Sequence, residues 1–133
     1  MNKLTASVVA IEAEKSLHIV SFESHGVALK MMGLELPKGL EVGSNVLLGV
    51  KSSHVAIAKN VEGDVSFSNQ LRVTIDSIDA GKLISTVSVR FYDAVLQSIL
   101  TRSSVERMKL QKGDQVVILF KASELFVLEV LHD

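Results

Sequence analysis

Two short segments of the sequence combine a lysine with hydroxyl side chains at a point where an apolar run is interrupted. They are Lys51-Ser52-Ser53 and Lys121-Ala122-Ser123, and each separates two apolar runs. Ammonium and hydroxyl groups donate hydrogen bonds, and backbone N–H groups at an interrupted strand can do the same. Because charge-assisted hydrogen bonds are strong, these segments are candidate sites for a small anion.

The two segments occupy the same place in an internal repeat. Residues 40–58 align with residues 110–128 at a constant offset of 70, and each copy reads as a turn at a glycine, an apolar strand, the polar break and a second apolar run. An isolated lysine in this position is most simply a solvated charge at the end of a strand. Its recurrence, each time with a serine two residues later, favours the binding interpretation.

The rest of the chain repeats as well, with an offset of 67 at its start, where Asn69-Gln70-Leu71 matches Asn2-Lys3-Leu4. Each copy contains short runs rich in β-branched residues, such as residues 4–11 and 71–78, and no long helical period. This pattern predicts an all-β protein made of two small barrels in tandem. We expect domains at residues 1–62 and 63–133, joined by a short linker within residues 59–66.

The second copy contains a helix signal that the first copy lacks. Ser103-x-x-Glu106 has the spacing of a capping box, which predicts a helix of one or two turns. Unpaired N–H groups and the dipole at such a helix start favour negative charge, so Thr101, Ser103 and Ser104 form a second candidate anion site. The alternative is that these hydroxyls serve only as helix caps.

Several segments in their order and spacing resemble the molbindin (Mop) domain of the TOBE class. They are Ser66-Phe67-Ser68-Asn69-Gln70-Leu71, Leu100-Thr101-Arg102-Ser103-Ser104-Val105, Leu110-x-x-Gly113 and Phe120-Lys121-Ala122-Ser123. The resemblance implies OB-like barrels, each with at most one short helix, that bind molybdate or tungstate. A tandem pair is similar to the di-molbindins, which implies a homotrimer with oxyanion sites at domain interfaces.

The resemblance also implies which residues bind the oxyanion. The resemblance implies an oxyanion site formed by three segments: the residues before the first strand of a repeat, the threonine turn of a neighbouring domain, and the lysine segment. Ser68 stands where the family has arginine, and the first repeat begins at Met1-Asn2 without the serine-containing lead. We therefore expect fewer or weaker sites than two intact repeats would form. The candidate ligands are Ser66, Ser68, Asn69, Thr101, Ser103, Ser104, Lys121, Ala122, Ser123, Lys51, Ser52 and Ser53.

Composition narrows the class of protein. The chain is 47% hydrophobic, yet no apolar run approaches the roughly 20 residues of a membrane span, so we expect an oligomer and no membrane partner. A net charge of −1 argues against nucleic-acid binding. The absence of cysteine makes a cytoplasmic location the default. The histidines (His18, His25, His54 and His132) lack metal-ligand spacing, and no catalytic motif is present, so we expect no resident metal, no covalent cofactor and no enzyme activity.

We therefore interpret the chain as an oxyanion-binding protein for storage, buffering or delivery of molybdate or tungstate. One alternative is a regulatory module that senses the oxyanion and acts on a separate transport or DNA-binding protein. Another is an OB-type module for single-stranded nucleic acid, which needs exposed aromatic side chains for base stacking. Aromatic residues make up only 5% of this sequence, which disfavours that reading.

Overall fold

The computed structural model describes residues 1–131 and is built mainly of β-strands. The helical elements are α1 (Arg102–Met108) and two 3₁₀ turns, Ser52–His54 and Ala122–Glu124. The strands are β1 (Asn2–Glu14), β2 (Leu17–Ser24), β3 (Val27–Gly33), β4 (Asn45–Val50), β5 (Ala56–Ala58), β6 (Asn69–Ala80), β7 (Ile84–Phe91), β8 (Ala94–Thr101), β9 (Gln115–Phe120) and β10 (Phe126–Leu131).

Alternation of apolar and polar residues explains the strands. In β6, Leu71, Val73 and Ile75 are buried while the residues between them are exposed, as expected for a strand with one face in the core. Both long strands, β1 and β6, contain a register shift at an equivalent position, between Val8 and Ala10 and between Ile75 and Ser77. Such bulges bend a strand, so each of these strands can curl around its barrel.

The strands form two five-stranded antiparallel sheets, with the orders β10-β4-β1-β2-β3 and β5-β9-β6-β7-β8. Each sheet takes four strands from one half of the sequence and its edge strand from the other half. The all-β class and the two tandem OB-like barrels are confirmed. The exchange of β5 and β10 did not follow from the sequence pattern. The expected domain boundary at 62/63 falls in the connection between β5 and β6 and stays a prediction.

The buried apolar side chains of both sheets form one continuous cluster, which includes Phe22 at 1% exposure and Phe120 at 1%. No helix in residues 1–131 has the length and apolar character that crossing a membrane requires.

The predicted helix is present, but the predicted cap was wrong. Thr101, not Ser103, is the N-cap residue, and its hydroxyl oxygen accepts a hydrogen bond from the backbone N–H of Ser104 at 3.2 Å. Glu106 does not complete a capping box, because its carboxylate accepts a hydrogen bond from Arg102 at 2.8 Å. The helix starts two residues earlier than the motif implied because β8 runs directly into it.

Candidate functional site

Two of the candidate segments meet at one end of the second sheet. Asn69 at the start of β6 is the register partner of Phe120 at the end of β9. Residues 66–68 therefore lead into β6 where residues 121–123 leave β9. Ser66, Ser68 and the lysine and serine of the second segment are all exposed, while Ala122 is half-buried. We call this place the Ser68–Lys121 corner.

The second 3₁₀ turn fixes the backbone at this corner. The N–H of Lys121 donates to the Glu124 carboxylate at 3.0 Å, and the N–H of Glu124 donates to the Lys121 carbonyl at 3.0 Å. Among residues 1–131, no ion pair involves the Lys121 ammonium. The donors that the turn presents to solvent are consequently the lysine ammonium and the Ser123 hydroxyl.

The first repeat forms a similar corner with fewer donors. Asn2 is the register partner of Val50 in an antiparallel pair. Met1, just before Asn2, and Lys51, just after Val50, therefore lie at the same end of this pair. Ser53 is exposed, whereas Ser52 is buried at 9% exposure. Met1 stands at the position equivalent to Ser68, so the hydroxyl that Ser68 provides in the second repeat has no counterpart here.

The two lysine segments also approach each other. His54, at the end of the first 3₁₀ turn, and Glu124, at the end of the second, occupy equivalent repeat positions, and their side chains lie 3.6 Å apart. His25 and Tyr92 are another equivalent pair, and their rings stack at 4.2 Å. Contacts between equivalent positions mark an approximate twofold axis that relates the two halves.

The threonine turn is separate from both lysine segments. The hydroxyl of Thr101 donates to that of Ser104 at 3.0 Å and lies 3.3 Å from that of Ser103, so these side chains bond mainly among themselves. Within residues 1–131, no hydrogen bond joins this turn to residues 51–53 or 121–123. One chain therefore unites two of the three segments that the resemblance combined.

Comparison with known proteins places the second half in a characterised family. Residues 66–127 match the family model of the TOBE domain. Over 85 residues, which is 63% of this chain, the sequence is 38% identical to the molybdenum import ATP-binding protein ModC of Brucella abortus. The ModC protein of Brucella suis matches equally. The match to the TOBE domain thus covers the second repeat of the chain. The aligned part covers 24% of the ModC length, so the chain spans about a quarter of these curated relatives.

Solved structures extend the likeness to the whole chain. The cytoplasmic molybdate-binding protein ModG, in a form with molybdate bound, matches 95% of this chain and 94% of its own, with a TM-score of 0.88 at 22% identity. A molybdate-binding protein from Sporomusa ovata matches 53% of this chain at 30% identity and a TM-score of 0.46. The ModG likeness shows that the chain has the same fold over nearly its whole length.

A lysine outside the candidate segments supports the helix of the TOBE domain. The ammonium of Lys59 donates to the carbonyls of Met108 and Lys109 at 3.2 and 3.1 Å, and it pairs with the Asp114 carboxylate at 3.3 Å. A cation is favourable at a helix C-terminus, where carbonyl groups lack intrahelical partners. The sequence analysis places Lys59 in the linker. Its contacts with the helix could not be predicted there, because its partners lie 49 or more residues away in the sequence.

Metal-binding clusters and surface grooves are the other places where a ligand could bind. Within residues 1–131, no group of three or more His, Cys, Asp or Glu side chains is arranged to hold a metal ion, and His132 lies outside the described residues. A groove of about 780 Å³ lies beside Arg72, Arg90 and Tyr92 of the second sheet. None of the predicted ligands lines it.

Proposed function

We propose that this protein binds a tetrahedral oxyanion, molybdate or tungstate, at the Ser68–Lys121 corner, for intracellular storage, buffering or delivery. The observation that supports the proposal is the register of β6 on β9, which puts the segments carrying three serine hydroxyls and the Lys121 ammonium at the same end of the paired strands. The fold shared with molybdate-binding ModG and the sequence match to ModC support molybdate as the ligand.

Binding would rest on hydrogen bonds from fixed donors to the oxygens of a doubly charged anion. The Lys121 ammonium supplies a full positive charge, and the hydroxyls of Ser66, Ser68 and Ser123 supply neutral donors. Bonds that involve an ionised partner are about twice as strong as neutral ones, so the lysine should dominate. Sulfate is smaller than molybdate, and donors anchored to two paired strands cannot close around it freely.

The site would be completed by another copy of the chain. The resemblance assigns the threonine turn to a neighbouring domain, and Thr101 and Ser103 are exposed and separate from the corner of their own chain. We therefore propose a symmetric trimer in which the turn of one chain faces the corner of the next.

Isothermal titration with molybdate, tungstate and sulfate tests the proposal, and the two lysines provide a matched pair of variants. Lys121→Ala should lower molybdate affinity about ten- to hundredfold, because losing one charged partner costs roughly 1.5–3 kcal/mol. Lys51→Ala, at the equivalent position without the serine lead, should have the smaller effect. Equal effects of the two substitutions, or parent binding of sulfate as tight as of molybdate, would contradict the proposal.

A further inference from the structure

Two asparagines at equivalent repeat positions are buried beside the candidate corners. Asn69 opens β6 with 0% exposure, and Asn2 opens β1 with 5% exposure. A side-chain amide carries both donors and an acceptor, and burying it unpaired would cost free energy. The hydrogen-bond partners of each amide therefore indicate its structural role.

Each amide bonds the backbone of one residue in the opposite half of the chain. For Asn69, the side-chain oxygen accepts from the Lys30 N–H at 2.7 Å and the NH₂ group donates to the Lys30 carbonyl at 3.0 Å. For Asn2, the corresponding distances to the Gln97 N–H and carbonyl are both 2.8 Å. In both cases the side chain imitates a peptide group pairing with a strand.

The residues that receive these bonds lie on sheet edges. Lys30 belongs to β3 and Gln97 to β8, and each strand ends the order of its sheet. Ladder hydrogen bonds satisfy only one side of an edge strand. The Asn69 amide thus ties the edge of the first sheet to the first residue of β6, and the Asn2 amide ties the edge of the second sheet to β1.

We infer that Asn69 is a positioning residue for the oxyanion site rather than one of its ligands, an inference that rests on the proposed function. Its amide is engaged at both ends and has no exposed surface, so it cannot turn toward a bound anion. Its backbone follows Ser68 directly and pairs with Phe120, the residue before Lys121. Anchoring Asn69 to β3 therefore fixes the two donor segments relative to each other.

Asn2 is a built-in control for this inference. It makes the same two bonds across the halves, so losing it should destabilise the fold about as much as losing Asn69. Its neighbour on the N-terminal side is Met1, which has no hydroxyl, whereas the equivalent neighbour of Asn69 is Ser68. Any role of Asn69 beyond holding the two halves together should appear as a difference between the two variants.

The first experiment compares Asn69→Ala and Asn2→Ala in the full chain. Both should lower Tm by similar amounts in the absence of ligand, whereas only Asn69→Ala should weaken molybdate binding at the tighter site, by at least tenfold in titration calorimetry. Unchanged affinity in Asn69→Ala, or equal losses in both variants, would overturn the inference. If either alanine variant does not fold, Asn69→Ser and Asn2→Ser replace the pair, since a hydroxyl can keep one of the two bonds.

A second experiment needs no ligand and separates this inference from the proposed function. Amide hydrogen exchange in residues 66–68 and 121–124 should accelerate in Asn69→Ala and not in Asn2→Ala. Equal exchange in the two variants would show that Asn69 positions nothing locally. A parent protein that does not bind molybdate would refute the proposed function, while the exchange pattern would still decide whether Asn69 orders the corner.

Discussion

Residues at equivalent positions of the two repeats differ in size where the exchanged strands pack. Gly49 on β4 is the register partner of Phe126 on β10, whereas its counterpart Leu119 on β9 is the partner of Ala56 on β5. A large side chain thus faces a glycine in one sheet, and a large side chain faces an alanine in the other. In one pair the large side chain belongs to the exchanged strand, and in the other pair it belongs to the strand that receives it.

The packing over Gly49 leads to a prediction. A Cβ at this position would lie 2.9 Å from side-chain carbons of Leu128 and Phe126, too close unless these two side chains shift. Gly49→Ala should therefore lower the free energy of unfolding by about 1–3 kcal/mol, as overpacked core substitutions do. Gly33→Ala is the control, since its nearest neighbour would be at 3.8 Å. Chemical denaturation of the two variants measures the difference, and equal stabilities would contradict this packing.

Among the elements, α1 shows how tertiary contacts set a short helix. It has only seven residues, a length that is marginal for a helix in isolation. Thr101 caps its start, Lys109 ends it in the left-handed conformation with φ 53°, and Lys59 bonds its last carbonyls. Both ends are thus held by specific groups, and Val105 anchors its inner face in the core.

The position of the N-cap can be checked with two hydroxyl deletions. Thr101→Ala should cost about 1 kcal/mol of stability, because it removes the acceptor for the Ser104 N–H. Ser103→Ala should change stability by no more than about 0.5 kcal/mol, since Ser103 is an exposed residue within the first turn. Urea denaturation in the absence of oxyanion gives both values. A larger loss of stability for Ser103→Ala than for Thr101→Ala would instead indicate that Ser103 is the N-cap residue, as the sequence motif predicted.

For the whole molecule, several large apolar side chains are exposed to solvent. Leu83, Leu34 and Val42 are 79%, 66% and 61% exposed, in a chain that is 47% hydrophobic. Contiguous apolar patches commonly mark interfaces between proteins, and we propose that these side chains contribute to one. Contacts between copies would remove part of this surface from water, in line with the proposed trimer.

Light scattering at micromolar concentration should give the mass of three chains, and molybdate should raise Tm in a concentration-dependent manner. A ligand that binds only the folded assembly stabilises it by about 2.7 kcal/mol at a hundred times Kd. Sulfate at the same ionic strength is the control for general salt effects. A monomeric mass would refute the trimer, and equal shifts with molybdate and sulfate would refute selective binding.

The sequence by itself determined the local structure and the repeat. Alternating apolar residues predicted the strands because one face of each strand must enter a core, and this holds for each half separately. The offsets of 67 and 70 residues revealed two similar barrels and singled out Lys51 and Lys121 as equivalent. The resemblance carried by residues 66–71 and 120–123 led to the TOBE family, which the comparison of residues 66–127 bears out.

Only the tertiary structure decided which strand joins which sheet and what the asparagines do. Strand alternation is the same whether β5 pairs within its own half or with β9, so periodicity cannot reveal an exchange. The exchanged pairing places Ala56 against Leu119 and Phe126 against Gly49. Pairing within each half would set Phe126 against Leu119 and leave Ala56 against Gly49, which overfills one sheet and underfills the other. Likewise, the sequence pattern does not show that the Asn69 amide bonds a backbone 39 residues away.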